Sequence, residues 1–290
     1  MISWPTNLIT DIARRQCVLF LGAGVSKNAT NKAGRSPKTW SEFLKAGVLQ
    51  VANASDKKVI SNCIKRGDYL MACELLKNSL DSGKFINLLR DEFQRPGFKV
   101  ADIHKDIFLL DSRIVITPNF DKIYESYAAS ETQGTIITKY YYDTDIVDVL
   151  RDDAYIILKI HGCIDSPNQL IFSKLDYVEK RNLYRSFYEI LEALALTKTF
   201  IFIGAGLNDP DIQLLLENHA FRHKVSHKHY FVLPKKYTSA QELEVYSKSM
   251  NLEFILYDEK SEHKELKESI KELISLVDNK RNAIATARNW

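Results

Sequence analysis

The sequence predicts an α/β fold: a doubly wound, mostly parallel, Rossmann-like sheet with an inserted all-helical subdomain. Three observations lead there. Short, largely apolar runs (VLFL at 18–21, RIVIT at 113–117, YIILKI at 155–160, TFIFI at 199–203) suit strands buried on both faces of a parallel sheet. Stretches of helical periodicity alternate with strands over most of the chain, the pattern that builds parallel sheets. Between the first run and the second, the pattern is helical throughout, so a helical block is inserted into the sheet.

In chain order, a helix over 7–15 leads into the strand at 18–21. Gly22-Ala23-Gly24 then turns the chain, its glycines leaving backbone N–H groups facing outward. Residues 27–38 are polar, contain Gly34 and Pro37, and read as a loop. Thr39 or Ser41 caps the next helix. Helices follow over 41–51, 57–66, 69–79 and 83–93, with Asp68 and Asp81 at boundaries, and Pro96-Gly97 closes the block. A helix over 101–110 precedes the strand at 113–117, and Pro118-Asn119-Phe120-Asp121 leads into a helix over 122–129. A short strand at 135–138 comes before 155–160, which ends in His161-Gly162. Residues 170–173 read as extended and 181–196 as helical. The strand at 199–203 ends in Gly204-Ala205-Gly206, and Asp209 caps a helix to about 217 with Pro210 in its first position. Strands at 229–233 and 253–257 and an amphipathic helix over 262–277 complete the pattern. The division is 1–35 with 97–290 for the core and 36–96 for the insert or lid; 279–290 reads as a loose tail or a cut edge before a further domain.

A chain of 290 residues can bury a substantial core in one large domain or two smaller ones. With 40 basic and 37 acidic side chains, the net charge of +3 is no argument for nucleic acid, and the locally basic stretch 222–236 reads as a solvated loop. No apolar run approaches the roughly 20 residues of a bilayer span, and the N-terminus lacks the order of a signal peptide. A cytoplasmic location is the expectation. Cys17, Cys63, Cys73 and Cys163 form no C-x-x-C pair, so they read as reduced, buried thiols rather than a zinc site.

Four strands end in GAGVS, TPNFD, HG and GAGLND, and in doubly wound sheets ligands bind beyond the carboxyl ends of the strands. Neither a complete G-x-G-x-x-G, because Lys27 replaces the third glycine, nor a Walker A loop is present. Glycine turns at strand ends can still cradle phosphates, or simply turn the chain. Asp211 either holds a ribose hydroxyl or charges a helix N-terminus. Asn119 offers a donor and an acceptor to a sugar hydroxyl or a water, or else caps a turn. His161, at a strand end beside a glycine, can exchange protons near neutrality, or is an ordinary turn histidine. His104, His219, His223, His227, His229 and His263 fall in helices or a polar turn, and the i, i+4 pair His219/His223 reads as a solvated helix face.

GAGVS, TPNFD, KIHG and GAGLNDPDI, in this order, resemble the sirtuin family over roughly residues 12–30 and 101–235. The resemblance implies NAD+ as co-substrate. It implies that Gly22, Ala23, Gly24, Ser26 and Thr117 line the dinucleotide, and that the stretch from Gly204 through Gly206 and Leu207 to Asn208 holds the adenosine end. It further implies that Asn119 positions the nicotinamide ribose and a water, that Asp121 contacts the nicotinamide carboxamide, and that His161 is the base acting on a ribose hydroxyl. The departures are as informative. HGCIDSPNQLIFS is too short for the four-cysteine zinc module of deacetylases, the G-x-P-D-F-R loop is missing, and Gly206 replaces a usual serine. This pattern resembles the zinc-free sirtuin-like NADases of bacterial anti-phage defence, Thoeris effectors among them.

The expectation is therefore an NAD+ glycohydrolase yielding nicotinamide and ADP-ribose. Its rivals are an NAD-dependent deacylase or ADP-ribosyltransferase, and a non-catalytic module sensing NAD or ADP-ribose for a partner. A homo-oligomer and an activating partner or C-terminal sensor domain are expected; zinc, a membrane and direct nucleic-acid binding are not.

Overall fold

A computed structural model describes residues 1–152, 154–207, 209–223, 227–236 and 239–288. The order begins with Thr6–Ala13 (α1), Cys17–Leu21 (β1) and a single turn, Ala23–Ser26 (α2). Four helices follow: Trp40–Gln50 (α3), Ala54–Lys65 (α4), Tyr69–Ser79 (α5) and Ser82–Phe93 (α6). Next come Asp102–Leu109 (α7), Ile114–Thr117 (β2), Ile123–Glu131 (α8), Ile137–Tyr140 (β3), Ile146–Arg151 (α9) and Ile156–Lys159 (β4). After a 3-10 turn at Pro167–Gln169, the chain runs through Lys174–Leu183 (α10), Arg185–Thr197 (α11), Thr199–Ile203 (β5) and Pro210–Arg222 (α12). His229–Pro234 (β6), Ala240–Met250 (α13), Leu252–Tyr257 (β7) and Lys260–Ala287 (α14) close it.

The strands form one seven-stranded sheet in the order β3-β4-β2-β1-β5-β6-β7, and every pairing is parallel. β1 is central because its five residues are all buried, with no polar face to offer water. Alternate residues serve two cores. Phe20, Ile116, Leu158, Phe202 and Phe231 face one, and Leu19, Val115, Ile157, Ile201 and Val232 face the other. Phe20 pairs with Ile116, Thr117 with Lys159 and Leu21 with Ile203. That register brings the residues after β1, β2, β4 and β5 to one edge. The connections leaving β1 and β5 cover opposite faces, so the crevice between these two strand ends is the switch point of the sheet.

Helices α3–α6 build a third core of their own around Phe43, Leu44, Leu76 and Leu89, which the sheet side enters through Phe120 and Phe172. Each starts on a side-chain cap: Thr39 in a capping box with Glu42, then Asn53, Asp68 and Asp81. Each cap stabilises its helix by about 1 kcal/mol.

Several elements differ from the sequence expectation. The helix expected over 181–196 is two, because a capping box of Ser173 with Asp176 starts α10 early, and Tyr184 leaves helical φ/ψ to pack edge-on against Tyr141. α9 and α13 were not anticipated, although Ser239 and Glu242 form a capping box for α13. Residues 279–287, expected to be loose, continue α14; Ile284 is buried, and Arg281 donates to the carbonyl of Leu110 at 2.8 Å. His219 does not lie on a solvated face either. It is buried with its ring 4.9 Å from that of His229, which opens β6 rather than lying in a helix or polar turn.

Candidate active site

The two glycine turns meet at the switch point. Gly22 N–H donates to the Ile203 carbonyl at 2.9 Å, and Gly24 N–H to the Gly204 carbonyl at 2.8 Å. A Cβ on Gly22 would stand 2.4 Å from Ala205 Cα, and one on Gly204 2.6 Å from Val25 N. Gly204 also has φ +65°, where a side chain is strained. The glycines are thus needed for the backbones to cross. The amides of Gly22 and Gly24, expected to face outward for a phosphate, are instead committed to the carbonyls of Ile203 and Gly204.

Thr117 ends β2 with its hydroxyl donating to Leu21 O at 2.7 Å and accepting Asn119 N–H at 3.1 Å. Asn119 Nδ2 donates to Gly22 O at 3.1 Å and to Ser26 Oγ at 3.0 Å. With its amide nitrogen held on the first glycine turn, Asn119 has its Oδ1 as the acceptor to offer. Asp121 is buried and accepts Ile123 N–H at 3.0 Å. Beneath it, the fully buried Lys159 donates to the Asp121 carbonyl at 2.5 Å and to Glu125 at 2.6 Å. Burial raises the Glu125 carboxyl pKa against the pull of the Lys159 ammonium.

His161, 3% exposed, follows β4. Its Nε2 lies 3.0 Å from Asp211 Oδ2, and Tyr177 Oη is 3.5 Å from its Nδ1. Arg181 Nε donates to the other Asp211 oxygen at 2.7 Å, and Tyr188 Oη donates to Oδ2 at 3.2 Å. Burial lowers the His161 pKa, but the carboxylates of Asp209 and Asp211 outweigh it and leave a net rise. Burial also raises Asp211, and there the bonds from His161 and Arg181 prevail and lower it. The arrangement holds an imidazole in one orientation, Nε2–H toward a carboxylate, with Nδ1 toward the Tyr177 hydroxyl. His161, Asp209 and Asp211 are close enough to share a cation, the one such cluster among the described residues, but Arg181 and Tyr188 already occupy Asp211.

A cleft of about 580 Å³ joins these parts, with Gly22, Ala23, Ser26, Asn119, Asp121, His161, Gly204 and Gly206 in its wall. Its opposite wall is aromatic and comes from the helical insert, through Trp40, Phe43, Tyr69 and Phe93. Four of the expected contact residues are not in the wall. Gly24 is spent on the crossing, Thr117 is buried behind Asn119, Leu207 packs in the core, and Asp211 turns to His161. Asn208 lies outside the described residues. Sequence reasoning missed Tyr177, Arg181, Tyr188 and Lys159. For Lys159 a signal existed, a lysine inside an otherwise apolar strand, which demands a buried partner.

Residues 113–255 match the model of the SIR2-like domain family. The NAD(+) hydrolase ThsA of Bacillus cereus (strain MSX-D12) is 22% identical over 235 residues, which cover 81% of this chain and 46% of that protein. The NAD(+) hydrolase ThsA of Enterococcus faecium is 23% identical over 210 residues, 71% of this chain and 40% of that protein. Defense-associated sirtuin 2 of Bacillus subtilis is 25% identical over 214 residues, 72% of this chain and 20% of that protein. The chain thus spans less than half the length of these relatives. The parallel sheet and the strand-end motifs agree with the match of residues 113–255 to the SIR2-like domain model.

Proposed function

We propose that this chain hydrolyses NAD+ to nicotinamide and ADP-ribose and serves anti-phage defence by depleting NAD+. The observation that carries the reading is the meeting of Asn119 and His161 in one cleft at the sheet's switch point, with Asp211 orienting the histidine. Relatives named NAD(+) hydrolase support it.

Nicotinamide leaves neutral from a cationic ring, so the glycosidic bond breaks through a transition state resembling an oxocarbenium ion. In this reading Asp121 engages the carboxamide, Asn119 Oδ1 fixes a ribose hydroxyl or the attacking water, and His161 takes a proton as water adds. Ala23, Ser26, Gly204 and Gly206 line the dinucleotide. The insert acts as a lid whose aromatic wall admits water, and neither zinc nor a lysine-bearing peptide is required. A homo-oligomer, with an activating partner protein or a C-terminal sensor domain, supplies the control that a toxic cytoplasmic activity needs. No helix among the described residues is long and apolar enough to cross a membrane.

The test follows nicotinamide and ADP-ribose by chromatography after NAD+ is added to the purified chain. Wild type is expected to form both in equal amounts, and Asn119→Ala and His161→Ala to lose about 10²–10⁴-fold in rate. Near-wild-type turnover in both variants refutes the assignment. Calorimetric binding of NAD+ without turnover, by wild type alone, favours the sensing module instead.

A further inference from the structure

His161 has no ring nitrogen to spare. Nε2 is 3.0 Å from Asp211, and Nδ1 faces the hydroxyl of Tyr177 at 3.5 Å. Because Asp211 accepts from Nε2–H, the lone pair of neutral His161 is on Nδ1, the atom that Tyr177 covers. Tyr177 itself is held rigidly. It sits on α10 behind the Ser173 cap, 3% exposed, with its ring edge-on to His161 at 5.1 Å and under the Arg181 guanidinium at 5.6 Å. Tyr177 and His161 both border the cleft that Asn119 and Asp121 also line.

We propose that Tyr177 is a catalytic residue whose hydroxyl, interposed between His161 and the substrate, carries the proton that His161 collects. The proposal rests on the NAD+ hydrolase reading. In the step, the O–H bond of the ribose hydroxyl or attacking water breaks, and its proton moves to Tyr177 Oη. The Tyr177 O–H bond breaks in the same event, and that proton moves to His161 Nδ1. The electron pair stays on the substrate oxygen, which becomes the nucleophile. His161 becomes an imidazolium with Nε2–H still on Asp211, and no free tyrosinate forms. Asp211 and Arg181 are positioning residues in this relay. Concerted passage matters here, because burial and then the Asp209 and Asp211 carboxylates oppose a lone Tyr177 tyrosinate.

The same geometry permits an opposite role, in which Tyr177 merely covers His161 and must move away before turnover. The sign of one variant separates the two. Tyr177→Phe keeps the ring and its packing and removes only the hydroxyl. Under the relay, kcat for NAD+ cleavage falls by about 10²–10⁴-fold with KM nearly unchanged, and Tyr177→Phe/His161→Ala is no slower than His161→Ala. A Tyr177→Phe variant as fast as wild type, or faster, overturns the proposal while Asn119→Ala still tests the hydrolase reading. A second readout needs no turnover. Imidazole ¹⁵N shifts of His161 should report Nδ1 as an acceptor in wild type and a changed Nδ1 in Tyr177→Phe. Identical shifts in the two overturn the relay whether or not the chain cleaves NAD+.

Discussion

His161 is where charge and function meet. Its pKa lies above the ordinary histidine range because Asp209 and Asp211 outweigh the burial that lowers it. In the proposed hydrolysis the base must be unprotonated, so kcat/KM for NAD+ should climb with pH, with its midpoint above that of a free imidazole. Asp211→Asn should move that limb to lower pH and reduce the plateau. A kcat/KM profile reads both. Stability runs the other way. A raised folded-state pKa contributes stability in full below the unfolded value of about 6.5 and loses it as pH rises through the folded value. For Asp211, lowered by His161 and Arg181 against burial, stability is present above about 3.9 and lost as pH falls through the folded value. Thermal melts across pH should therefore show both contributions present between about pH 4 and 6.5, and Asp211→Asn should flatten both limbs. His161 and Asn119 were legible because each ends an apolar strand. Tyr177, Arg181 and Tyr188 were not, because Tyr177 meets His161 from 16 residues away while Arg181 and Tyr188 reach Asp211 from 30 and 23 residues away, and no local pattern marks such a convergence.

At the scale of elements, the crossing of the two glycine turns is a costly place to alter. Gly204 combines positive φ with backbone neighbours that cannot give way, whereas a Cβ on Gly206 meets nothing within 4 Å. Gly204→Ala should therefore lose about 1–3 kcal/mol in denaturant unfolding. Gly206→Ala should stay within about 0.5 kcal/mol of wild type. Equal losses would mean that the crossing is not what requires glycine. This contrast was out of reach of the sequence, where both glycines belong to one GAG motif and the partner backbone is far away in the chain. The strands themselves were readable, since burial on both faces leaves an apolar signature. β3 was the hardest, with all four residues only half-buried at the sheet edge, and its observed span is shifted from the expected 135–138. The join of α10 to α11 was unreadable because tertiary packing of Tyr184 on Tyr141 breaks a pattern that is locally continuous.

Across the whole molecule, the helical insert and the sheet share one seam, and the cleft lies along it. Phe172 is its centre, with its ring 5.5 Å from Trp40, 5.3 Å from Phe43 and 5.0 Å from Phe120. The seam continues through α10, where Lys77 of α5 pairs with Asp176 at 2.9 Å and Glu74 accepts Leu175 N–H at 3.1 Å. α10 is the helix that carries Tyr177, so the insert is mechanically connected to the surroundings of His161. The two exposed polar ties add little to stability, which leaves the aromatic packing as the main adhesion. Phe172→Ala should thus cost about 3–5 kcal/mol, and the loss should be uneven. Hydrogen exchange should rise across 40–93 and in α10, while β1 and β5, buried on both sides, keep their protection. If exchange rises uniformly, the insert and sheet unfold as a single unit and the lid reading loses its physical basis. If it rises only in the insert and α10, the seam is a true boundary. Turnover of Phe172→Ala should then fall with Tyr177 displaced, even though Asn119 and His161 remain anchored to the sheet.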